Sequence, residues 1–385
     1  MTAYLLVENK GREMASRLLI AKALVERGIQ VAVGDRKTMV LGLRGRPSGV
    51  VMDKGLNRIV GNAMRASPEH RHVAIDEEAF GIARFAQAAR EHDHEAPAAE
   101  VYVNGHLDEY DETFSAVLTG NPRADLCGMS HLWMSEARRI RKAWGSFILV
   151  NTSSGGINSN WGTLDEYLTI LHKIGWDVRR PDIAEHLLDD AASMQSLATF
   201  VRLAVDRGHR VIVRPHPSER ADTWRLMMGD CADVVTEGWH IPWIAAASVL
   251  VHTGCTTGYE AALMGRPAVA MKTSRPVDHA FTSSGINPTD SPRAALNMVE
   301  NILAGAPYES LSPGLCDAHA RIAERLTALD TGPTDIAPFP SVERNDYERA
   351  KMTSTLEETE ALYRRMGGTS TVRQVGDSVF VAEPV

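Results

Sequence analysis

The chain has 385 residues and a formal net charge of −8, with 44% hydrophobic and 23% charged residues. That length exceeds one ordinary core and predicts two domains of roughly 150 to 200 residues each. The negative charge argues against general nucleic-acid binding, which favours a basic face, and the composition is that of a soluble globular protein.

Cysteine spacing and hydropathy exclude two further classes of protein. The cysteines form no CxxC pair and no histidine cluster has zinc spacing, so we expect free thiols in a reducing cytoplasm and no metal site. The N-terminal apolar run meets Glu8 almost at once, which predicts a first strand rather than a signal peptide. No run reaches the roughly 18 apolar residues of a membrane helix, so we expect a cytoplasmic protein, with peripheral contact at the inner face of the membrane left open.

Strands and helices alternate through the first 144 residues. A buried strand is predicted in "AYLLVE", a helix from Gly11 to a C-cap at Gly28, and a second strand in "IQVAVGD". This βαβ unit implies a parallel sheet. Further strands are predicted in "GVVMDKG", "HVAIDEEAFG", "AEVYVNG" and "FSAVLTG", with a helix after the third of these.

The alternation begins again at the predicted strand "SFILVN", and we place a domain boundary before it. A helix is predicted over about residues 183–207, followed by a strand in "HRVIVRPHPSE". Residues 232–271 are predicted to hold two strands and two helices, and "PRAALNMVENILAG" the last helix. The fold class is therefore α/β, with Rossmann-like domains at residues 1–144 and 145–328.

Residues 329–385 differ from both domains in composition. A Pro-rich stretch comes first, followed by one predicted amphipathic helix in "NDYERAKMTSTLEETEALYRRMGG". The last segment, "STVRQVGDSVFVAEPV", predicts a terminal hairpin with Gly376 and Asp377 at its turn.

Three loops of the second domain follow predicted strands and are rich in groups that bind anions. In parallel α/β sheets, ligands bind beyond the carboxyl ends of the strands, so these loops are the first candidates for a site. The loops are "TSSGG", "RPHP" and "TGCTTG". Their candidate residues are Ser153, Ser154 and Gly155, then Arg214, His216 and Pro217, then Gly254, Thr256 and Thr257, with Glu260 in the helix that follows.

These residue types suit a phosphate group. Small residues let backbone N–H groups approach an anion, the His216 imidazole can donate a hydrogen bond, and a helix that begins near Thr256 adds a partial positive charge. Glu260, one turn into that helix, could accept from ribose hydroxyls. Read separately, the threonines could be helix caps and His216 an ordinary loop histidine. Together, after three strands of one domain, they favour a phosphate or nucleotide site.

An acidic cluster ends a predicted strand of the first domain. Asp76, Glu77 and Glu78 stand side by side in "HVAIDEEAFG". Neighbouring carboxylates can disturb one another's ionisation when they are partly buried, which suits one of them to act as a general base. The alternative is a solvated acidic turn that caps the next helix.

Two further charged groups follow strands of the first domain. The segment "ENKGRE" contains Glu8, Lys10, Arg12 and Glu13, which either face a ligand or begin a helix with surface ion pairs. Arg123 follows a Gly-Asn-Pro turn in "TGNPRADL", and its planar guanidinium is suited to hold an acidic substrate or to brace a hinge. We therefore include these five residues as candidate contacts for an acceptor.

The motifs "ENKGRE", "DEE", "TGNPRADL", "ILVNTSSGGIN", "RPHP" and "HTGCTTGYEAALMGRPAVA" together resemble those of a group of bacterial surface-carbohydrate biosynthesis proteins. The resemblance covers about residues 4–305 and implies a GT-B glycosyltransferase, a fold of two facing Rossmann-like domains with a cleft between them. It also implies that the helix in residues 329–385 packs back across that cleft.

The "RPHP" segment is similar to the HP motif of bacterial sialyltransferases and of Kdo transferases, which use CMP-activated sugars. The resemblance implies that His216 and Pro217 contact the phosphate and cytidine of CMP, and that Thr256 and Thr257 stand at the family's Ser/Thr phosphate motif. A CMP donor carries one phosphate, so no metal is required to bind a diphosphate.

The "DEE" segment is similar to an acidic motif of the same families that includes the catalytic base. The resemblance places that role on Glu77 or Glu78. The family motif continues with glycine, whereas Ala79 stands at that position here. This departure leaves the identity of the base open.

The combined prediction is a glycosyltransferase of surface polysaccharide or glycoconjugate synthesis that needs no cofactor. It would transfer an ulosonic acid, either a nonulosonate or Kdo, from a CMP donor to a hydroxyl of a glycan or glycolipid acceptor, with inversion. The alternatives are a UDP-sugar hexosyltransferase, a UDP-GlcNAc 2-epimerase-like enzyme, a polyol-phosphate transferase with a CDP donor, and a non-catalytic sugar-nucleotide-binding protein.

Overall fold

The structure is a computed structural model that divides into two compact units. It describes residues 2–46, 48–55, 58–77, 100–104, 115–173, 176–271, 287–311, 316–329 and 336–384. The first unit comprises Met1–Leu132 and Pro313–Val385, and the second comprises Trp133–Ser312.

This division differs from the predicted boundaries at residues 144 and 328. The first unit ends at Leu132, inside helix α5 (Ser130–Trp144), whose continuous helical pattern carries no sequence signal for a boundary. Beyond it the helix packs with the second unit, because Arg141 Nη1 donates to the backbone oxygen of Ala246 at 2.9 Å. The chain returns to the first unit at Pro313, so the predicted tail is an integral part of that unit.

Within its described residues, the first unit holds an eight-stranded sheet in the order β13-β14-β2-β1-β3-β4-β5-β6. The strands from β2 to β6 pair in parallel, as the alternation of strands and helices predicts. Their bounds are Thr2–Val7 (β1), Gln30–Asp35 (β2), Val50–Asp53 (β3), Arg71–Ile75 (β4), Glu100–Val103 (β5), Ala116–Leu118 (β6), Val372–Gly376 (β13) and Val379–Ala382 (β14).

Helix α1 is the central helix of the first unit. The side chain of Asn9 caps it by accepting from the backbone N–H of Gly11, and its long buried face packs against β2, α4, α12 and α14. The helices of this unit are Lys10–Val25 (α1), Arg36–Gly42 (α2), Arg58–Ala66 (α3), Pro122–Gly128 (α4), Ala318–Ala328 (α12), Asp346–Met352 (α13) and Leu356–Arg365 (α14).

The C-terminal tail contains two helices where one was predicted. The break lies at residues 353–355, because Thr355 begins a new helix with a capping box. Its side chain accepts from the backbone N–H of Glu358, whose carboxylate accepts from the backbone N–H of Thr355. The predicted hairpin is confirmed as β13 and β14, and β14 also pairs antiparallel with β2.

Gly34 explains how the hairpin can lie so close to the parallel strands. A Cβ at this position would collide with the backbone of Ser378 and Val379. The glycine therefore allows the backbones of β2 and β14 to approach at the end of their pairing, where Gly34 lies opposite Val379.

The second unit holds a six-stranded parallel sheet among its described residues, in the order β12-β11-β10-β7-β8-β9. Its strands are Ile148–Asn151 (β7), Val211–Arg214 (β8), Asp233–Val234 (β9), Val249–His252 (β10), Ala268–Met271 (β11) and Pro288–Thr289 (β12). Residues 232–271 thus contain three strands rather than two, because the two residues of β9 continue the sheet beside β8.

The core of the second unit packs helices on this sheet. Trp224 and Phe200 are fully buried with the apolar residues of β7, β8 and β10, each burial contributing on the order of 2 kcal/mol. The helices are Leu164–Lys173 (α6), Pro181–Asp206 (α7), Ala221–Met228 (α8), His240–Ala246 (α9), Thr256–Leu263 (α10) and Pro292–Leu303 (α11). Throughout the described part of the chain, helices fall short of the length and apolar character that crossing a membrane requires.

Candidate functional site

The three predicted anion-binding loops follow neighbouring strands of the second unit. Strand β7 lies between β10 and β8 in the sheet and pairs in parallel with both. Because parallel strands end at the same edge, the loops after β10, β7 and β8 emerge side by side. The sequence predicted the loops; the strand order makes them neighbours.

Glu219, which the sequence interpretation did not single out, joins the loops after β7 and β8. Its Oε1 accepts from Thr152 Oγ1 at 2.6 Å and from the backbone N–H of Ser154 at 2.8 Å, and its Oε2 accepts from Trp224 Nε1 at 2.6 Å. Burial raises the pKa of this carboxyl, and these donors act in the opposite direction. The only sequence signal was its place three residues after His216.

His216 is held in one orientation at the start of the second loop. Its backbone N–H donates to Thr152 Oγ1 at 3.1 Å, and its Nδ1 accepts from the backbone N–H of Ser218 at 3.2 Å. With Nδ1 as an acceptor, a neutral ring carries its proton on Nε2. His216 is partly exposed, and this tautomer suits donation to an oxyanion. Pro217 beside it is exposed.

Helix α10 has Cys255 as its N-cap residue, and this side chain makes no cap hydrogen bond. The alternative interpretation of the threonines as N-caps is therefore wrong, because both lie inside the helix. Thr256 and Thr257 lie in the first turn and are partly exposed. Asn151, at the end of β7, donates from Nδ2 to Thr257 Oγ1 at 2.9 Å and so connects the first and third loops.

His252, at the end of β10, shapes the turn that precedes α10. Its Nδ1 accepts from the backbone N–H groups of Gly254 and Cys255, both at 3.1 Å. The side chain is fully buried, and burial lowers its pKa to about 4, so the imidazole is neutral at physiological pH. A Cβ on Gly258 would collide with this ring, so the helix start requires glycine there.

Arg214 contacts protein groups. Its guanidinium donates to the backbone oxygens of Glu237 at 2.7 Å and Gly238 at 3.0 Å and lies 5.0 Å from the ring centre of Trp243. Burial lowers the pKa of Arg214 to about 10, which leaves it cationic at neutral pH. Its observed contacts are those of a structural brace.

Glu260 lies deep in the second unit. The residue is fully buried, and His240 Nε2 lies 2.9 Å from its Oε2. A ribose hydroxyl would have to reach this buried carboxylate–imidazole contact to meet Glu260. Glu260, the predicted ribose contact, therefore lies inside the second unit, in the first turns of α10.

Most backbone N–H groups of the loop after β7 donate hydrogen bonds to other groups of the protein. Asp190 accepts from the N–H groups of Gly156 at 2.6 Å and Ile157 at 3.3 Å, as Glu219 does from Ser154. Burial raises the pKa of Asp190. Ser153 and Gly155 lie between these anchored positions and are partly exposed. This loop thus has fewer N–H groups left to bind an anion than we expected from its glycine- and serine-rich sequence.

In the acidic cluster of the first unit, the Glu77 carboxylate is already hydrogen-bonded to other side chains. Arg17, fully buried, donates from Nη1 to Glu77 Oε1 at 2.5 Å and from Nη2 to Oε2 at 3.2 Å, and Ser16 Oγ donates to Oε1 at 3.1 Å. Both Glu77 oxygens are therefore engaged. Asp76 is buried at the end of β4, and Glu78 lies outside the described residues.

The charges of "ENKGRE" form ion pairs with the rest of the first unit. Glu8 contacts Lys351 at 2.5 Å, Lys54 at 2.7 Å and Arg36 at 3.4 Å. Burial acts to raise the pKa of Glu8, but these cations lower it well below its ordinary value. Glu8 therefore stays ionised at neutral pH and is joined to helix α13 through Lys351.

The other predicted contacts of this unit also have protein partners. Lys10 pairs with Glu358 of α14 at 2.7 Å, and Glu13 Oε2 accepts from the backbone N–H of Glu8 at 2.6 Å. Arg12 lies partly exposed in the first turn of α1. Arg123 is buried, and its backbone N–H donates to the cap residue Asn121 at 2.9 Å.

Comparisons with known proteins show which fold the chain shares with solved structures. No protein-family model and no curated protein sequence matches the chain. Among solved structures, UDP-GlcNAc 2-epimerase of Methanocaldococcus jannaschii in complex with UDP-GlcNAc and UDP is 11% identical, with a TM-score of 0.55 over 85% of this chain and 100% of that chain. The Neisseria meningitidis enzyme bound to UDP-GlcNAc is 10% identical, with a TM-score of 0.53 and the same coverage.

A third similar structure is the S. aureus MnaA complex with UDP, 12% identical, with a TM-score of 0.52 over 87% of this chain and 100% of that chain. At these identities the likeness is one of fold. It confirms the predicted class, α/β with two Rossmann-like domains of the GT-B type. The roles of individual residues stay predictions.

Proposed function

We propose that the chain is an enzyme acting on a sugar nucleotide, with the nucleotide phosphate bound by the loops after β10, β7 and β8. The observation that carries this proposal is the start of α10, where the N-cap residue Cys255 makes no side-chain cap hydrogen bond and two partly exposed threonines lie in the first turn. The helix dipole and the N–H groups of a first helical turn favour an anion by about 0.3–1 kcal/mol, and more when partly buried.

His216 adds a second donor to the same edge. Its ring is held with Nδ1 as acceptor, so Nε2–H is the group that can meet a phosphate oxygen. Charge on a leaving phosphate would then be stabilised by a fixed imidazole and a fixed helix start, which need no reorganisation during the reaction. This arrangement suits a sugar nucleotide whose phosphate leaves.

The reaction we favour is glycosyl transfer with inversion, from a CMP-activated ulosonic acid to a hydroxyl of a glycan or glycolipid. The support for this donor is the resemblance of "RPHP" and the "CTTG" helix start to CMP-sugar transferases. The Arg17 ion pair weakens the case for Glu77 as the base, since both of its oxygens already accept. We expect no metal or cofactor, and within the described residues no acidic, histidine or cysteine cluster could hold a metal.

A second candidate is a UDP-GlcNAc 2-epimerase-like activity. The observation in its favour is that the chain covers the whole of the M. jannaschii epimerase with a TM-score of 0.55. Such an enzyme would need no acceptor and would give a product epimeric at C2. A UDP-sugar hexosyltransferase shares the nucleotide but needs an acceptor.

Calorimetry with CMP, CDP, UDP and GDP tests the nucleotide. We expect CMP to bind, and His216→Ala or the double variant Thr256→Ala/Thr257→Ala to weaken binding about tenfold or more, since each removes charge-assisted donors. His209→Ala is the matched control, because His209 pairs with Glu300 before β8, away from the three loops. Binding of UDP without CMP would exclude the ulosonate donor and favour the epimerase or hexosyltransferase reading.

Turnover separates the remaining possibilities. A sugar nucleotide converted without acceptor, with a C2 epimer seen by NMR, would identify an epimerase, whereas release of free nucleotide that depends on acceptor would identify a transferase. Turnover should persist in EDTA. Failure of all four nucleotides to bind would overturn the proposal, and binding without any turnover would indicate a non-catalytic sugar-nucleotide-binding protein.

A further inference from the structure

The first unit contains a carboxylate–imidazole pair that the sequence interpretation did not identify. His319, in the first turn of α12, lies with its Nδ1 2.7 Å from Asp125 Oδ2. The Asp125 side chain is 3% exposed and the His319 side chain 17% exposed. The pair thus has a buried carboxylate behind an imidazole that reaches the surface.

Helix α12 places this pair at the carboxyl ends of the strands. Arg321 Nε donates to the backbone oxygen of Thr119, which directly follows β6, at 2.8 Å. Further along the helix, Arg325 Nε donates to Glu100 Oε2, at the beginning of β5, at 3.3 Å. The helix therefore starts at the carboxyl edge of the sheet and runs towards the amino edge, so His319 lies at the edge where α/β sheets bind ligands.

The same edge carries the acidic segment after β4. Asn121, which caps α4, donates from Nδ2 to the backbone oxygen of Glu77 at 3.0 Å. Asp125 lies in the first turn of that same helix. The loops after β4 and β6 and the start of α12 thus form one hydrogen-bonded group at the carboxyl edge of this sheet.

The geometry determines which imidazole nitrogen can do chemistry. An ionised carboxylate only accepts, so Nδ1–H of His319 donates to Asp125 and a neutral ring has its lone pair on Nε2. Within the described part of the chain, Nε2 has no hydrogen-bond partner. A carboxylate that fixes the tautomer and stabilises the imidazolium is the arrangement that makes histidine an effective general base.

We propose that His319 Nε2 is a general base at the carboxyl edge of the first unit, where it takes the proton of an acceptor hydroxyl bound to that unit, with Asp125 as its positioning residue. This inference rests on the proposed transferase function. The acceptor oxygen forms a bond to the anomeric carbon while the bond from that carbon to the nucleotide phosphate breaks, and the phosphate leaves with the electron pair. The hydroxyl proton passes to Nε2, giving an imidazolium beside Asp125, and then to solvent.

Asp125 also has a structural role that the test must separate from this one. Its Oδ2 accepts from the backbone N–H of His319 at 2.9 Å, while Asp317, the N-cap of α12, makes no side-chain cap hydrogen bond. Asp125 therefore caps α12 from another helix. Capping requires the backbone N–H alone, so a capping role is independent of the imidazole.

The first experiment needs no activity. In protein labelled with 15N-histidine, the resonance lost in His319→Gln identifies the ring of His319. We expect the proton of the neutral ring on Nδ1 in the wild-type protein and a shift towards the ordinary Nε2–H tautomer in Asp125→Ala. A neutral His319 protonated on Nε2 in the wild type would overturn the proposal.

The second experiment measures transfer from the donor that the wild-type protein turns over. We expect His319→Ala to lower kcat by about 10²–10⁴-fold, with nucleotide binding unchanged and activity partly restored by added imidazole. His209→Ala, which removes an imidazole of similar exposure paired with a carboxylate, should retain wild-type activity. Rescue by imidazole would not occur for a purely structural role.

The outcomes distinguish this proposal from the function on which it rests. Full kcat in a folded His319→Ala protein, or a loss that imidazole does not restore, overturns the general-base role and leaves the proposed function intact. Absence of turnover of any sugar nucleotide by the wild-type protein overturns both, and the calorimetry shows whether nucleotide binding survives.

Discussion

His252 shows how a buried polar side chain can shape a binding loop without facing a ligand. It accepts from two successive backbone N–H groups and thereby bends the chain between β10 and α10. Gly258 leaves room for the ring in the first turn of the helix. Together the two residues determine where the helix starts and hence where the N–H groups of its first turn point.

Changing Gly258 to Ala should therefore displace the start of α10, which belongs to the proposed phosphate site. The added Cβ meets the His252 ring, and relief by backbone movement should lower the free energy of unfolding by about 1–3 kcal/mol and weaken nucleotide binding. Thermal denaturation and calorimetry measure the two effects. Gly128→Ala is the control, since a Cβ there meets nothing within 4 Å. Equal melting temperature and affinity in Gly258→Ala would contradict the assignment.

The pH dependence of stability gives a second prediction for His252. Its folded pKa of about 4 is below the ordinary value near 6.5, so the unfolded chain binds a proton that the folded chain excludes. Its contribution is present above pH 6.5 and lost as the pH falls towards 4. From pH 7 to 5, wild-type protein should lose about 2 kcal/mol more than His252→Asn in urea unfolding. Parallel losses in the two proteins would refute this.

Glu219 plays the corresponding role for the loops after β7 and β8. Its removal in Glu219→Ala leaves the Thr152 hydroxyl, the Ser154 N–H and the Trp224 indole without their acceptor. Each buried donor left unpaired costs about 1–3 kcal/mol, so we expect a loss of at least about 3 kcal/mol in denaturant titrations. Glu219→Gln keeps one acceptor and should lose less. A loss below 1 kcal/mol in Glu219→Ala would be inconsistent with this network.

Among the secondary-structure elements, the break between α13 and α14 is the clearest departure from periodicity. The amphipathic pattern runs through both helices, but the S/T-x-x-E signal at Thr355 outweighs it locally. The new helix start also positions Glu358, which forms the ion pair with Lys10 of α1. One cap therefore connects the tail with the first helix of the unit.

Replacing Thr355 by Ala should cost about 1 kcal/mol in the free energy of unfolding, because the N–H of Glu358 loses its side-chain acceptor. Thr355→Ser keeps the hydroxyl and should remain close to wild type. Urea denaturation with an unchanged m-value measures the difference. Equal stability of the Ala and Ser variants would show that the capping box does not contribute.

For the whole molecule, the two units differ in how the chain builds them. The second is one continuous stretch, Trp133–Ser312, whereas the first is completed by Pro313–Val385. Strand β14 pairs with β2, and α12 packs against α1, so the first 132 residues lack an outer strand pair and a covering helix. This difference predicts unequal behaviour of fragments.

A fragment of residues 130–311, which keeps α5 whole, should fold and bind the nucleotide that the full chain binds. A fragment of residues 1–132 should remain unfolded or aggregate, because it exposes the edge of β2 and the apolar face of α1. Circular dichroism and calorimetry test both. Cooperative unfolding of the 1–132 fragment, or an unfolded 130–311 fragment, would contradict this division.

Apolar periodicity was sufficient to predict the βαβ pattern, most strands and the loops of the second unit, because those signals lie within some ten neighbouring residues. The prediction that "TGCTTG" binds an anion likewise rests on neighbouring residues. Apolar periodicity did not predict the order β10-β7-β8, since strand order depends on which distant segments pair. Nor did it predict the domain limit inside α5, where the helical pattern continues unbroken.

Two side-chain pairs of the first unit join residues that are far apart in the sequence. Arg17 meets Glu77 across 60 residues, and Asp125 meets His319 across 194. Each side chain alone reads as an ordinary surface charge in a helix or turn. Folding brings their partners within hydrogen-bond distance, and the degree of burial together with that partner determines whether a charge serves structure or chemistry.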